Sequence, residues 1–139
     1  MNNDHDLKRF TDAQQNDYAA ALNEIKNGHK RSHWMWYIFP QIQGLGFSPT
    51  SRYYSIKDIQ EAEAYLAHPL LGKRLIEISN ELLKLPTDNA SSVFGSPDDM
   101  KLSSSMTLFA SVHNTDGVFQ KVLDKFFHGK KDPLTLKQL

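Results

Sequence analysis

The chain has 139 residues, a common size for one domain, and 40% of them are hydrophobic while 23% are charged, which excludes an intrinsically disordered chain. Its sixteen basic residues balance sixteen acidic ones, so it lacks the basic excess that supplies most of the affinity of a nucleic-acid-binding protein, and nucleic acid is not expected as a partner. The absence of cysteine from the sequence excludes disulfides, thiolate nucleophiles and cysteine-ligated metal sites.

The first helix is predicted over residues 17–28, after a separate helical turn around 7–10. Asp17 is a favourable N-cap. The apolar residues that follow it recur at helical spacing, at Tyr18, Leu22 and Ile25. Gly28 follows the last of them, where a left-handed C-terminal cap is expected.

Two further helices are predicted on either side of His68-Pro69. Asp58, with Glu61 three residues later, matches a capping box and predicts a helix over 58–67. That helix should end at His68, because the residue before a proline is disfavoured in helical geometry. The segment 70–85 is the strongest helical pattern in the chain, with one apolar face formed by Leu71, Leu75, Ile78, Leu82 and Leu85.

Three later segments differ in how clearly they can be interpreted. Apolar spacing over 118–128, followed by Gly129, predicts a helix. The spacing over 101–112 favours a helix that begins at Pro97-Asp98-Asp99. The segment 34–39 is uniformly aromatic or apolar and is too short for its period to distinguish a strand from a helix.

These elements predict a mainly α fold, a compact, bundle-like single domain over residues 1–139 with short irregular connections. Residues 1–5 are expected to be a flexible N-terminus. The sequence shows no βαβ alternation and no internal repeat. It has no secretory signal, and its longest aromatic-apolar run is far too short to span a bilayer, so we expect a cytoplasmic protein with no membrane partner.

The most unusual stretch of the sequence is 29–41. Its basic residues suit a phosphate group and its indoles suit stacking. Of its two histidines, His33 is the one candidate for proton transfer near neutral pH. The candidate site residues in this stretch are Lys30, Arg31, His33, Trp34, Trp36 and Gln41. In the alternative interpretation the tryptophans belong to the core and the basic residues are solvated charges at a helix end.

A second candidate stretch, 94–109, begins with Phe94-Gly95 and contains three consecutive serines. If Asp98 or Asp99 opens a helix, backbone N–H groups and hydroxyls of its first turns can bind an anion. The candidates here are Lys101, Ser104 and Ser105. The alternative is that small residues at these positions allow close helix packing.

Other polar positions give no further site. Gln14 is expected on the surface, and so are Glu61, Glu63 and Lys130-Lys131. The six histidines are scattered without metal-ligand spacing, so no metal is expected. Gly44-Leu-Gly46 is not a dinucleotide-binding fingerprint, since Pro49 stands where its third glycine should be, and no cofactor is expected.

The order of these motifs resembles the DUF1810 family of bacterial and other proteins. The residues that carry the resemblance include Leu7-x-x-Phe10, Lys30-Arg-Ser-His-Trp-Met-Trp-Tyr-Ile-Phe-Pro-Gln41, Gly44-Leu-Gly46, His68-Pro69, Leu71-Gly72-Lys-Arg-Leu75 and Lys101-Leu-Ser-Ser-Ser-Met-Thr-Leu-Phe109. They extend over nearly the whole chain. The resemblance implies a mainly helical fold. It implies no activity and no catalytic residue, because the family has no established function.

The sequence supports one leading hypothesis and one alternative, and it disfavours a third possibility, nucleic-acid binding through His29-Lys30-Arg31, because the net charge is zero. In the first, segments 30–41 and 98–107 line a cleft that binds a small anionic ligand bearing a phosphate or a nucleotide. In the alternative, the protein is a non-enzymatic interaction module that uses the aromatic segment 34–39 to bind an unknown protein partner. Solvent exposure of the two tryptophans distinguishes them. The sequence does not decide whether the protein is an enzyme.

Overall fold

A computed structural model describes residues 6–139 of the chain, so the predicted flexible segment 1–5 lies outside the described residues. This part of the chain forms nine helices and no strand: α1 Lys8–Lys26, α2 Met35–Ile38, α3 Pro49–Tyr53, α4 Ile59–Ala67, α5 Leu71–Leu83, α6 Ala90–Phe94, α7 Asp98–Ala110, α8 Val118–Phe127 and α9 Pro133–Gln138. The predicted mainly α fold is confirmed. None of these described helices is long and apolar enough to cross a membrane.

Helix α1 is longer than the sequence pattern predicts. It runs without a break from Lys8, so Asp17 lies in its middle and is not an N-cap, and the predicted separate turn belongs to the same helix. The reason is Gln14, a polar residue at the buried position between Phe10 and Ala21, which interrupts the apolar period but not the helix. The helix ends before Gly28, whose φ of +75° is the left-handed conformation expected there.

Helices α4 and α5 begin and end where local signals place them. The Asp58 carboxylate accepts a hydrogen bond of 2.8 Å from the Glu61 N–H at the start of α4. His68 leaves helical geometry with a ψ of 128°. Its ring nitrogen Nδ1 then accepts from the N–H groups of Leu70 and Leu71 at 3.1 and 3.2 Å, which caps the start of α5.

The ambiguous segments are also helical. Residues 35–38 form the single turn of α2, and α7 begins at Asp98 directly after Pro97, as the spacing favours. Helix α8 ends at Phe127, and His128 as well as Gly129 takes a positive φ in the turn that follows. The one β contact of the described chain is an isolated parallel bridge between Ile42 and Ile56.

The core is formed where five helices pack against one another. Helix α7 packs on α8 and α4, and α5 packs on α8, α4 and α1. The largest fully buried aromatic side chains of the protein are Phe10, Trp34, Phe39, Tyr65, Phe109 and Phe119. Phe10 and Tyr65 meet edge to face with ring centroids 5.2 Å apart, a favourable aromatic geometry.

The corner between α4 and α5 depends on the missing side chain of Gly72. A Cβ atom there would lie 2.1 Å from the backbone oxygen of Leu66. We therefore expect Gly72→Ala to lower the free energy of unfolding by about 3 kcal/mol, because the clash is with backbone that cannot rotate away. Urea denaturation measures the loss.

The matched control for this test is Gly117→Ala. Gly117 has a φ of −68°, and a Cβ atom there would meet nothing within 4 Å. Its substitution should change the free energy of unfolding by less than about 0.5 kcal/mol. Equal effects of the two substitutions would contradict the close approach of α4 and α5.

Candidate functional site

The basic head of the first motif is held in place by Glu24 on α1. One carboxylate oxygen of Glu24 accepts from the N–H groups of Arg31 and Ser32 at 2.7 and 2.9 Å. The same oxygen accepts from the indole N–H of Trp34 at 2.9 Å, and the other oxygen accepts from the Ser32 hydroxyl at 2.6 Å. Burial acts to raise the pKa of Glu24, but these four hydrogen bonds outweigh it and lower the pKa to about 2.

The two motif stretches contact each other at Asp98. One carboxylate oxygen of Asp98 lies 3.0 Å from Nζ of Lys30, and the other lies 3.5 Å from Nζ of Lys101. Each ammonium group also lies over an indole: Lys30 is 4.9 Å from the ring centroid of Trp34, and Lys101 is 5.1 Å from that of Trp36. Because the Lys30 side chain is only 7% exposed, its charge is paired with the Asp98 carboxylate inside the protein.

Next to Trp36 lies an open cavity of about 510 Å³, which we call the Arg52 cavity. Its walls are formed by Trp36, Gln41, Ile42, Gln43, Gly44, Gly46, Phe47, Ser51, Arg52, Tyr54, Ser55 and Gln138. Arg52 is the one charged side chain among these described wall residues. Its exposed guanidinium makes no ion pair with any residue between 6 and 139. The wall of this cavity is therefore positively charged.

A second cavity, of about 370 Å³, adjoins the first, and we call it the Met100 cavity. It is lined by Gln41, Leu45, Gly46, Ser51, Pro97, Asp99, Met100, Lys101, Ser103, Ser104, Phe127, Asp132 and Leu134. The two cavities thus share three wall residues, Gln41, Gly46 and Ser51. Two carboxylates and one ammonium line the Met100 cavity, so its charge is opposite in sign to that of its neighbour.

Four of the candidate site residues lie on these walls. Trp36 lines the Arg52 cavity, Gln41 lines both cavities, and Lys101 and Ser104 line the Met100 cavity. The Ser104 hydroxyl donates to the Asp132 carboxylate at 3.0 Å and to a backbone oxygen one turn earlier. Its hydrogen is therefore already used in hydrogen bonds within the protein.

The other five candidates lie elsewhere. Trp34 and Ser105 are buried in the core, and Lys30 is paired with Asp98, as described above. Arg31 is exposed and lines neither cavity. His33 lines a shallow depression with Pro49 and Tyr53, which is separated from the Arg52 cavity by residues common to both walls, Trp36 and Tyr54.

Two polar residues expected on the surface are buried. Gln14 donates to the backbone oxygen of Tyr37 at 2.7 Å and to the Tyr65 hydroxyl at 3.0 Å. Glu61 forms a 3.0 Å ion pair with Arg9. Neither expectation was correct, because each side chain has a partner that is distant in sequence and satisfies it in the core.

Sequence reasoning missed Arg52 and its neighbour Ser51 on the cavity wall. The signal that points to them is Ser48-Pro49, a favourable helix start that hydrophobic periodicity does not detect. In the structure the Ser48 side chain accepts from the Ser51 N–H at 3.1 Å and caps α3. This single turn then places Arg52 at the cavity wall.

Comparison with known proteins identifies the family. The model of a family described as protein of unknown function, DUF1810, matches residues 4–139. The chain belongs to the DUF1810 family. This confirms the resemblance carried by the motifs.

A solved structure supports the same relationship. The crystal structure of the conserved hypothetical protein Rv1873 from Mycobacterium tuberculosis is similar to this DUF1810 protein, with a TM-score of 0.96 and 43% sequence identity. The match covers 99% of this chain and 98% of that chain. No curated protein matches the chain. The DUF1810 family is one of unknown function.

The hydrogen bonds to Glu24 make a testable contribution to the stability of this DUF1810 protein. The carboxyl has the ordinary pKa of 4.5 when unfolded and about 2 when folded, so its contribution is fully present above pH 4.5 and is lost as the pH falls through 2. We expect Glu24→Gln to lower the free energy of unfolding by about 1 kcal/mol at pH 7, a value that allows for solvent screening. The deficit relative to wild type should shrink between pH 4.5 and pH 2.

Glu63→Gln is the control, since Glu63 is exposed on α4. Denaturant titrations at several pH values provide the measurement. A deficit of the Glu24 variant that stays constant down to pH 2 would show that the carboxylate charge does not organise residues 31–34.

Proposed function

We propose that this DUF1810 protein binds a small phosphate-bearing ligand whose anionic group lies against Arg52. The observation that carries the proposal is a guanidinium that makes no ion pair within residues 6–139 and lies on the wall of a cavity whose other described wall residues are neutral. A cavity of about 510 Å³ has the size of a small-metabolite site. Arginine suits this role because its planar donors match phosphate oxygens.

Charge pairing favours Arg52 over the lysines of the two motifs. Lys30 and Lys101 share one carboxylate, Asp98, so an anion placed there would have to compete with an ion pair that already exists. In the Met100 cavity an anion would also meet Asp99 and other negative charge. The proposal therefore keeps the ligand class expected from the sequence but centres the anion on a different residue.

Neutral hydrogen-bonding groups surround the guanidinium. Gln41 and Gln43 present side-chain amides on the cavity wall, and Ser51 presents a hydroxyl. Burial, followed in importance by its neighbour Tyr53, raises the pKa of Tyr54 above that of an ordinary phenol, which is itself protonated at neutral pH. Such groups suit the hydroxyl and ester oxygens of a phosphate-bearing metabolite.

The proposed activity is binding without chemistry at this cavity. Its described wall carries no carboxylate and no imidazole, the groups that most often transfer protons at neutral pH. His33, the candidate for proton transfer, lines the neighbouring depression on the far side of Trp36.

Burial also supports a ligand site over the interaction module. In segment 34–39 every residue except Trp36 is buried. This segment therefore presents no exposed aromatic surface. Its one half-buried indole, that of Trp36, lines a cavity together with polar groups. This combination is typical of a pocket.

Two exposed arginines provide a matched test of the proposed site. A thermal-shift screen of nucleotides, sugar phosphates and alkyl phosphates supplies a ligand, and isothermal titration calorimetry then measures its dissociation constant. We expect Arg52→Ala to weaken binding at least about tenfold, because a hydrogen bond to a charged group contributes about 1.5–3 kcal/mol. Arg31→Ala removes the same charge from outside both cavities and should leave the affinity unchanged.

Weaker binding in Arg31→Ala, with unchanged affinity in Arg52→Ala, would place the anion at the basic head of the first motif and overturn the proposal. Equal losses in both variants would indicate a diffuse effect of net charge, which rising salt concentration would suppress in wild type as well.

A further inference from the structure

From the pairing of the two cavities we infer the chemical class of the ligand: a hydrocarbon chain ester of phosphate, with its chain in the Met100 cavity. This inference rests on the proposed function, because Arg52 holds the phosphate group. It adds the part of the ligand that extends away from that group.

The walls of the Met100 cavity present apolar side chains to the solvent. Its apolar wall residues come from four parts of the chain and are Leu45, Pro97, Met100, Phe127 and Leu134. Met100 is 66% exposed and Leu134 is 57% exposed, high values for large hydrophobic side chains. Covering such side chains with a hydrocarbon group removes apolar surface from water on both molecules, which favours binding.

The charges of the two cavities determine the orientation of such a ligand. Asp132 accepts from the Thr135 N–H and hydroxyl at 3.2 and 2.6 Å as well as from Ser104, so its carboxylate is occupied by the N-terminal turn of α9. Asp99 accepts from the N–H of Met100 at 2.8 Å. These carboxylates repel a phosphate from the Met100 cavity, whereas Arg52 attracts it to the adjoining one.

The two cavities adjoin each other at their shared wall residues. Gly46 lies there against Ser51, and a Cβ atom on Gly46 would come within 2.5 Å of the Ser51 Cβ. Gln41, the third shared residue, presents a neutral amide at the boundary. A molecule with an anionic head and an uncharged tail can thus contact both cavities without placing a charge on the apolar walls.

The test is a series of ethyl, butyl and hexyl phosphate, measured by NMR titration below the concentrations at which they self-associate. The affinity of wild type should rise about two- to fourfold for each methylene that becomes buried. Leu134→Ser should flatten this dependence on chain length. Leu136→Ser is the matched control, because Leu136 lies on the same helix, is 45% exposed and lines neither cavity, and it should retain the full dependence.

The outcomes separate this inference from the proposed function. If the three phosphates bind equally well and Arg52→Ala weakens the binding of all three, the proposed function holds. The placement of the hydrocarbon chain in the Met100 cavity is then wrong. If no phosphate in the series or in the metabolite screen binds, both are wrong. An unaltered dependence on chain length in Leu134→Ser would also overturn the inference, and Met100→Gln provides a second variant should the first fail to fold.

Discussion

The burial of Trp34 against α1 and α6 fixes the position of both motif stretches. Its indole N–H needs an acceptor inside the protein, and the Glu24 carboxylate supplies it while also ordering the preceding loop. The ring packs edge to face against Phe94 and supports the ammonium of Lys30. That ammonium reaches Asp98, so the start of α7 is tied to the first motif. Lys101, which also contacts Asp98, lines the Met100 cavity.

The same connection decides where positive charge is available. Two lysines share Asp98 and lie over indole rings, which lowers the cost of holding them near the core. An anion gains little from ammonium groups that are already paired. The guanidinium of Arg52, at the end of a single helical turn, makes no ion pair within residues 6–139 and is open to the cavity. A site for an anion therefore depends on which basic residues remain unpaired, not on how many there are.

Local signals explain how much of the fold follows from the sequence. Asp58 and His68-Pro69 act within a few residues of themselves, and both ends of α4 lie where these signals predict. The errors come from long-range pairing. Gln14 and Glu61 are polar, so the pattern places them outside, but partners about fifty residues away allow them to be buried. A single sequence does not contain that pairing.

The candidate site was predictable in part for the same reason. Unusual composition draws attention to segments 30–41 and 98–107, which contact each other at Asp98, although much of that composition serves burial and ion pairing. Arg52, which makes no ion pair among the described residues, lies in a short exposed helix without hydrophobic period. Unusual residues in a motif often reflect the demands of packing. A charged binding group needs only a position on a cavity wall and no ion-pair partner within the protein. In this fold only Trp36 and Gln41 of the first motif line the Arg52 cavity, and Arg52, which lies outside both motifs, supplies its charge.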